Sequence, residues 1–210
     1  MLTLKEFKEA RGVLSGVIRN TSLVYSPAFS KATGNQIYIK PENMQVTGAY
    51  KIRGAYYKIS TLSDEEKARG LVTASAGNHA QGVAYAAQAA GVSATIVMPT
   101  TTPLVKVNNT KDYGAKVVLH GETFDDAAEL AAEVGADGVH VGQQDMSPRQ
   151  ARAILGPNGI VGVSAHTVEE ARAAQAEGAD YLGVGAVFVT GTKENTTPVD
   201  YETLKEICAA

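Results

Sequence analysis

From residue 71 onward, short apolar runs alternate with longer stretches of helical periodicity. The runs are rich in Val and Ile and show little polar alternation, which is typical of parallel strands covered on both faces. The pattern predicts strands at Leu71–Ala74, Ala94–Met98, Lys116–Leu119, Gly138–Val141, Ile160–Val163 and Tyr181–Val184. It predicts helices at Asn78–Ala90, Leu104–Tyr113, Asp125–Val134, Pro148–Leu155, Val168–Glu177 and Tyr201–Cys208. This alternation predicts an α/β fold of βαβ units with a mainly parallel sheet.

The residues before position 71 are less regular. A first helix is predicted to end near Asn20, and its apolar face is formed by Leu4, Phe7, Leu14, Val17 and Ile18. Strand-like runs follow at Leu23–Ser26 and Gln36–Lys40, and a helix is predicted over Tyr50–Ser60. No Pro- or Ser-rich linker interrupts the chain, so we expect one continuous body.

Composition excludes several classes of partner. The chain has 210 residues, with 19 Lys and Arg against 22 Asp and Glu, and its net charge of −3 favours neither nucleic acid nor an anionic membrane. No apolar run approaches the ~20 residues of a membrane span. The single cysteine, Cys208, cannot form an internal disulfide, so we expect a cytoplasmic protein.

Two motifs in the first half suggest carbonyl and anion chemistry. Lys51 starts a predicted helix, and a neutral lysine amine can form a Schiff base, although the motif alone favours a surface lysine that covers apolar neighbours. The second motif closes a strand and opens a helix, and it reads Ser75-Ala-Gly-Asn-His-Ala-Gln-Gly. Its small residues and helix N-terminus suit an anion, and Asn78 can hydrogen-bond a ring oxygen. A tight turn capped by Asn78 is the alternative.

Polar side chains also follow the predicted strands of the second half. They are Asp145, Ser164, Thr190, Thr192 and Lys193. Because α/β folds bind ligands at the carboxyl ends of parallel strands, the hydroxyls and the ammonium predict a phosphate clamp for a small anionic ligand. Asp145 would bind Mg²⁺ beside it. Ordinary loops, with Asp145 as a helix cap, are the alternative.

Long stretches of the first half match a known family. The matching text includes Thr47-Gly-Ala-Tyr-Lys-Ile-Arg-Gly and the motif at 75–82, within segments 38–55, 73–84, 95–99 and 114–121. On these motifs, residues from about 20 to 133 resemble threonine dehydratase, a fold-type II pyridoxal-phosphate enzyme.

That resemblance implies roles for residues of both motifs. Lys51 would hold pyridoxal phosphate as a Schiff base, Asn78 would hydrogen-bond the cofactor's 3′-oxygen, and Ser75 to Gly77 would receive the substrate carboxylate. The chain departs from the family at Ala49, where Ser is usual, and nothing after residue 133 matches the family's glycine-rich phosphate loop.

The second half resembles a different family. Its matching text includes His140-Val-Gly-Gln-Gln-Asp, Ile160-Val-Gly-Val-Ser-Ala-His and Val189-Thr-Gly-Thr-Lys. On these motifs, residues from about 136 to 208 resemble thiamine-phosphate synthase, a (βα)₈ barrel. The resemblance implies a magnesium ligand at Asp145 and pyrophosphate contacts from Ser164, Thr190, Thr192 and Lys193. Only the fourth to sixth βα units of such a barrel are present.

The two resemblances meet near residues 133–137 and predict a chimera of segments 1–135 and 136–210. We expect a doubly wound three-layer sandwich, with strand order 3-2-1-4-5-6 counted from residue 71. A barrel-like closure that adds the two early strands is the alternative. The apolar face of residues 1–45 predicts self-association.

Neither half carries a whole active site. The function expected from the sequence is therefore a recombined scaffold without an intact native site, which retains weak phosphate or cofactor binding. A pyridoxal-phosphate-dependent serine/threonine dehydratase is the first alternative, and a thiamine-phosphate-synthase-like transferase is the second. Pyridoxal phosphate, Mg²⁺ or no cofactor all stay open.

Overall fold

A computed structural model of the chain describes residues 3–185 and 198–210. The chain divides into two compact units, the first ending at His120 and the second beginning at Gly121. The boundary predicted at residues 135 and 136 rests on sequence resemblance and stays a prediction.

Helices and strands alternate along both units. The helices are α1 (Leu4–Leu14), α2 (Pro27–Thr33), α3 (Lys51–Ser60), α4 (Asp64–Arg69), α5 (Asn78–Ala90), α6 (Leu104–Asp112), α7 (Phe124–Glu133), α8 (Pro148–Leu155), α9 (Val168–Ala176) and α10 (Tyr201–Ala209). The strands are β1 (Val24–Tyr25), β2 (Tyr38–Ile39), β3 (Leu71–Ala74), β4 (Ala94–Met98), β5 (Lys116–Leu119), β6 (Gly138–Val141), β7 (Ile160–Ala165) and β8 (Tyr181–Val184). A 3₁₀ turn covers Glu42–Met44.

The strands form separate sheets. In the first unit β1 pairs with β2 antiparallel, and β3, β4 and β5 form a parallel sheet in that order. In the second unit β6, β7 and β8 form another parallel sheet in chain order. The expected α/β fold of parallel βα units is therefore confirmed, and no sheet among the described strands closes into a barrel.

The predicted strand order 3-2-1-4-5-6 agrees with the structure within each group of three described strands. The join of the two groups into one sheet through β3 and β6 stays a prediction. The helix that leads into β6, α7, packs against β6 and α8 within the second unit. The helix between β5 and β6 is thus part of the second unit's packing, a distinction that the alternation of strands and helices does not encode.

The core of the first unit centres on α5. This alanine-rich helix packs on β3 and β4 and lies against α3. Ile96 and Met98 of β4 are fully buried beneath α5. On α5 itself, the buried residues include Ala80, Ala84, Ala86 and Ala87. Small side chains on α5 allow this close packing, so α3 and α5 are held together by backbone proximity as well as by apolar burial.

The N-terminal helix is shorter than predicted. It ends at Leu14 instead of near Asn20, because Ser15 is extended and Gly16 has a φ of +84°. Leu4 and Phe7 are 70% and 60% exposed and Leu14 is buried, so only the N-terminal part of the predicted apolar face is uncovered. Self-association through that face stays a prediction. In the part of the chain with described coordinates, no helix has the length and apolar character to cross a bilayer.

Candidate functional site

The predicted Schiff-base lysine starts a well-anchored helix. Lys51 is the first residue of α3, and the next residue, Ile52, is fully buried. The Lys51 side chain is exposed, and its Nζ lies 5.4 Å from the centroid of the Tyr50 ring. An aromatic face at this distance attracts a cation. The Lys51 amine is thus at the surface, and the buried Ile52 side chain anchors the backbone that carries it.

The second motif forms the turn between β3 and α5. The Ser75 hydroxyl oxygen accepts hydrogen bonds from the backbone N–H groups of Gly77 (3.3 Å) and Ala80 (3.2 Å). Both contacts use the oxygen as acceptor, so the hydroxyl hydrogen is left to donate to a ligand. Gly77 is the extended N-cap residue and Asn78 is the first helical residue. The turn therefore presents a hydroxyl and an amide side chain at a helix N-terminus, where anions are favoured.

Gly82 brings the two motifs together. A Cβ atom placed on Gly82 would lie 3.2 Å from the Ile52 nitrogen and the Lys51 carbonyl carbon, and 3.3 Å from the Lys51 Cβ. Asn78 precedes Gly82 by four residues and lies on the same face of α5. Helix α5 therefore contacts the first turn of α3 at Gly82, which lies one turn after the N-terminus of α5. The sequence did not predict this contact.

A largely buried ion pair fixes the same first turn of α3, and the sequence did not single it out. Arg53 donates from Nε to Glu42 Oε2 (2.8 Å) and from Nη2 to Glu42 Oε1 (2.7 Å). The Thr21 hydroxyl also hydrogen-bonds Glu42. The hydrogen bonds from Arg53, against the opposing effect of burial, lower the pKa of Glu42 to about 2. The sequence shows the opposite charges of Glu42 and Arg53 within segment 38–55. Nothing in the local pattern indicates that these two side chains form a pair.

In the second unit, a chain of polar side chains crosses the sheet. Ser164 Oγ lies 2.9 Å from His140 Nε2, and His140 Nδ1 lies 3.0 Å from the Tyr181 hydroxyl. His140, Gly162 and Tyr181 are paired in register on β6, β7 and β8. The histidine and tyrosine can meet because Gly162 has no side chain: a Cβ there would overlap the Tyr181 ring. Of these residues only Ser164 was predicted as a site residue.

The predicted magnesium ligand takes part in a loop contact. Asp145 Oδ2 accepts a hydrogen bond from the Gly142 N–H (2.6 Å). The described residues contain no group of three His, Cys, Asp or Glu side chains that could hold a metal ion, so Mg²⁺ is not supported. The other predicted phosphate ligands lie outside the described residues, namely Thr190, Thr192 and Lys193.

A cleft of about 300 Å³ lies in the second unit between α9, β8 and α10. None of the predicted site residues that the structure describes lines it; Arg172, Asp180, Tyr181 and Cys208 do. Cleft volume alone therefore does not identify the predicted chemistry. The lysine motif is the better candidate because two predicted elements meet there by direct packing.

Comparison with known proteins bears on the first-half motifs. The family model described as "Pyridoxal-phosphate dependent enzyme" matches residues 14–192. The chain is 54% identical over 134 residues to an L-threonine ammonia-lyase of Thermotoga maritima, covering 64% of this chain and 33% of that protein. It is 44% identical over 168 residues to the catabolic L-threonine dehydratase TdcB of Staphylococcus aureus, covering 78% of this chain and 46% of that protein.

Solved structures give a consistent result. Processed threonine deaminase isoform 2 of Solanum lycopersicum matches with a TM-score of 0.59 and 28% identity, over 98% of this chain and 68% of that chain. Serine racemase of Dictyostelium discoideum matches with a TM-score of 0.54 and 26% identity, over 77% of this chain and 65% of that chain.

These matches settle the family and leave the second resemblance without support. The chain spans between a third and a half of the length of the curated relatives it matches. None of the matches described above is to a thiamine-phosphate synthase, and the family match runs across the junction predicted near residues 133–137. The chimera is therefore not supported. The chain belongs to the pyridoxal-phosphate dependent enzyme family.

Proposed function

We propose that the chain carries the cofactor-attachment part of a pyridoxal-phosphate-dependent ammonia-lyase that acts on serine or threonine. The observation that carries this proposal is the contact at Gly82, because it joins the helix of Lys51 to the helix of Asn78. The curated relatives described above are threonine ammonia-lyases and dehydratases, and they support the choice of reaction. Because the chain spans at most about half of those proteins, activity and substrate are proposals.

The residues present fit the cofactor's aldehyde and ring oxygen. Lys51 offers an exposed amine on a fixed backbone, and Asn78 offers an amide at the facing helix end. When bound, pyridoxal phosphate supplies an electron sink for the charge that develops at the substrate α-carbon.

The Ser75 turn would bind the substrate's carboxylate. The hydroxyl oxygen already accepts two backbone hydrogen bonds, which fix its position. Its hydrogen can then be donated to a carboxylate at the N-terminus of α5, where the helix dipole favours negative charge. The chain's own contribution is thus to hold the cofactor at one helix start and orient the amino acid at the other.

Covalent trapping tests this proposal directly. The protein is incubated with pyridoxal phosphate, reduced with borohydride, digested and analysed by mass spectrometry. We expect the label on Lys51 and its loss in Lys51→Ala. Lys58→Ala is the matched control, because Lys58 is an exposed lysine of the same helix. Equal labelling of Lys51 and Lys58 would contradict the proposal. Production of a 2-oxo acid from L-threonine then tests the reaction.

Pyrophosphate binding by residues 136–208 is a second proposal. It is supported by the Ser164 hydroxyl, which lies beside the His140 imidazole on one face of the sheet. Calorimetric titration with pyrophosphate tests it, with Ser164→Ala and Lys193→Ala expected to abolish the heat of binding. If neither this titration nor the trapping gives a signal, the interpretation that survives is a member of the family without an intact site in this part of the chain.

A cytoplasmic location is also a proposal. It is supported by the single cysteine, Cys208, which is exposed and forms no disulfide. Fractionation of an expressing cell tests it, with the protein expected in the cytosolic fraction.

A further inference from the structure

We propose that Gly82 and the Glu42–Arg53 ion pair are positioning residues that hold the amine-bearing turn of α3 from two sides. This inference rests on the proposed function, because it concerns the lysine to which the cofactor would be attached. Neither Gly82 nor the ion pair would touch the cofactor. Both would act through the backbone of Lys51.

The ion pair is built for orientation. Arg53 and Glu42 form two parallel hydrogen bonds, which fix direction as well as distance. Their side chains are 29% and 17% exposed, so solvent screens the pair only in part. The partners of Glu42 are also fixed, since Thr21 is buried and its carbonyl accepts a hydrogen bond from Lys40 Nζ (2.7 Å).

The 3₁₀ turn that carries Glu42 is fastened separately. The Gln45 side chain accepts a hydrogen bond from the Arg19 N–H (2.9 Å) and donates one to the Arg19 carbonyl (2.7 Å). Gln45 is buried, which protects both bonds from competition by water. Arg53 is therefore tied to a support that does not depend on α3.

Arg53 and Lys51 point in different directions from the helix. Two residues correspond to about 200° of rotation around an α-helix, so these side chains project from nearly opposite sides. The ion pair therefore fixes the rotation of α3 about its own axis. It does not itself contact the Lys51 amine. Gly82 sets the distance of the same turn from α5, because its missing side chain lets the Lys51 backbone approach.

Together the two contacts fix both rotation and distance at the lysine. Covalent reaction requires the reacting atoms to approach closely, and a displacement of about 1 Å can cost about a hundredfold in rate. A shift of a few tenths of an ångström or a small rotation of this turn is expected to slow cofactor attachment without unfolding the chain. This effect separates a positioning role from a purely structural one.

The ion pair is tested by the rate of attachment in folded protein. Arg53→Met and Glu42→Gln are mixed with pyridoxal phosphate, and the adduct at Lys51 is trapped by borohydride at increasing times. We expect the rate constant to fall about tenfold, with Arg53→Lys intermediate because it restores the charge but lacks the two-pronged geometry. Arg152→Met is the control in the other unit, since it removes an arginine–carboxylate ion pair, with Asp180, that has one hydrogen bond and a more exposed carboxylate.

Gly82→Ala tests the second contact. The added methyl group would press on the Lys51 and Ile52 backbone, so we expect attachment to slow about tenfold. The matched control is Gly54→Ala in α3, where a Cβ would meet no atom within 4 Å. All rates are measured far below the thermal midpoint of each variant, as followed by circular dichroism.

The outcomes separate the two levels of inference. If wild-type protein forms no adduct at Lys51, the proposed function fails and this inference fails with it. If wild-type Lys51 reacts and the ion-pair and Gly82 variants react at the same rate, only the positioning role is overturned. An equal slowing in the Arg152→Met and Gly54→Ala controls would also overturn it, because the effect would then follow general destabilisation.

Discussion

Both units contain a closely packed glycine and an arginine–carboxylate ion pair, but these features have different surroundings in the two units. In the first unit Gly82 faces backbone atoms, whereas in the second Gly162 faces the ring ends of Tyr181 and His140. A side-chain ring can swing away from an added methyl group, but a packed helix must move as a whole. The first arrangement therefore fixes a backbone, and the second fixes only side chains.

The ion pairs of the two units differ in exposure and in the number of hydrogen bonds that the carboxylate receives from the arginine. Glu42 of the first unit is 17% exposed and receives two hydrogen bonds from Arg53. Asp180 of the second unit is 47% exposed and receives one from Arg152 Nη2 (2.6 Å). A pair shielded from water keeps its strength in salt, whereas an exposed pair is screened. The first unit thus has the rigidity that a reacting lysine requires.

The largest expected effect on stability is the loss of the Glu42 ion pair in acid. Because the folded pKa is lowered from 4.5 to about 2, this carboxylate stabilises the fold fully above pH 5. That contribution is lost as the pH falls from about 5 to 2, and we expect it to be about 2 kcal/mol after allowance for partial solvent screening. Urea unfolding of the first unit at successive pH values measures it.

Glu42→Gln is the control for this pH dependence. The glutamine amide cannot titrate, so the variant should be less stable than the wild type at pH 7 and nearly equal to it at pH 2. A wild-type pH profile that Glu42→Gln leaves unchanged would show that other carboxylates account for the acid sensitivity.

Gly162→Ala is expected to have the next largest effect. The new methyl group would displace Tyr181 and His140, whose rings meet across β7 with a hydrogen bond of 3.0 Å. Because the rings can rotate toward solvent, we expect a loss of about 1.5 kcal/mol rather than unfolding. Hydrogen exchange of the β7 amides reports this local stability.

A double-mutant cycle identifies the cause. In a Tyr181→Ala background part of the clash is already gone, so Gly162→Ala should cost less there than in the wild type. Equal costs in both backgrounds would mean that the backbone of β7, and not the ring contact, is responsible for the loss.

Local sequence patterns predicted the regular elements closely. The bounds of β3, β4, β5, β6 and β8 agree with those predicted from their short apolar runs. The expected cover on both faces holds for β4, whereas β5 and β6 keep exposed residues. The prediction missed α4, a six-residue helix, because Asp64–Arg69 has no apolar face to produce periodicity. Its capping box from Ser63 and Glu66 was the signal that could have found it.

The site was predictable only in part. Lys51 and Asn78 were identified through the resemblance of their motifs, whereas the Gly82 contact and the Glu42–Arg53 pair were not. Both join residues that lie apart along the chain, and periodicity reports only which face of an element is apolar. The packing of α7 within the second unit is likewise recorded by no local pattern.

Gly82→Ala is expected to lower the free energy of unfolding by less than it raises the barrier to cofactor attachment at Lys51. Alanine in a helix interior gains about 1 kcal/mol over glycine, but the close approach to Lys51 and Ile52 costs about 2 kcal/mol in overpacking. The expected net loss is about 1 kcal/mol. Gly54→Ala, which meets open space, should gain up to about 1 kcal/mol. Urea titration of both variants checks the opposite signs, and a gain in Gly82→Ala would show that α3 can yield.

The smallest effect is expected for Asp180→Asn, and salt distinguishes its cause. The carboxylate accepts a hydrogen bond from the Val161 N–H (2.7 Å), which with Arg152 lowers the pKa of Asp180. The asparagine oxygen can still accept from Val161, so only the exposed charge contact with Arg152 is lost. Thermal unfolding should therefore show a small fall in midpoint at low salt that disappears at high salt. The larger part of the fall caused by Glu42→Gln should persist at high salt, because a pair with side chains 29% and 17% exposed is screened less than the Arg152–Asp180 pair. If salt removed both effects equally, the two ion pairs would be equivalent, and the greater rigidity ascribed to the first unit would rest on Gly82 alone.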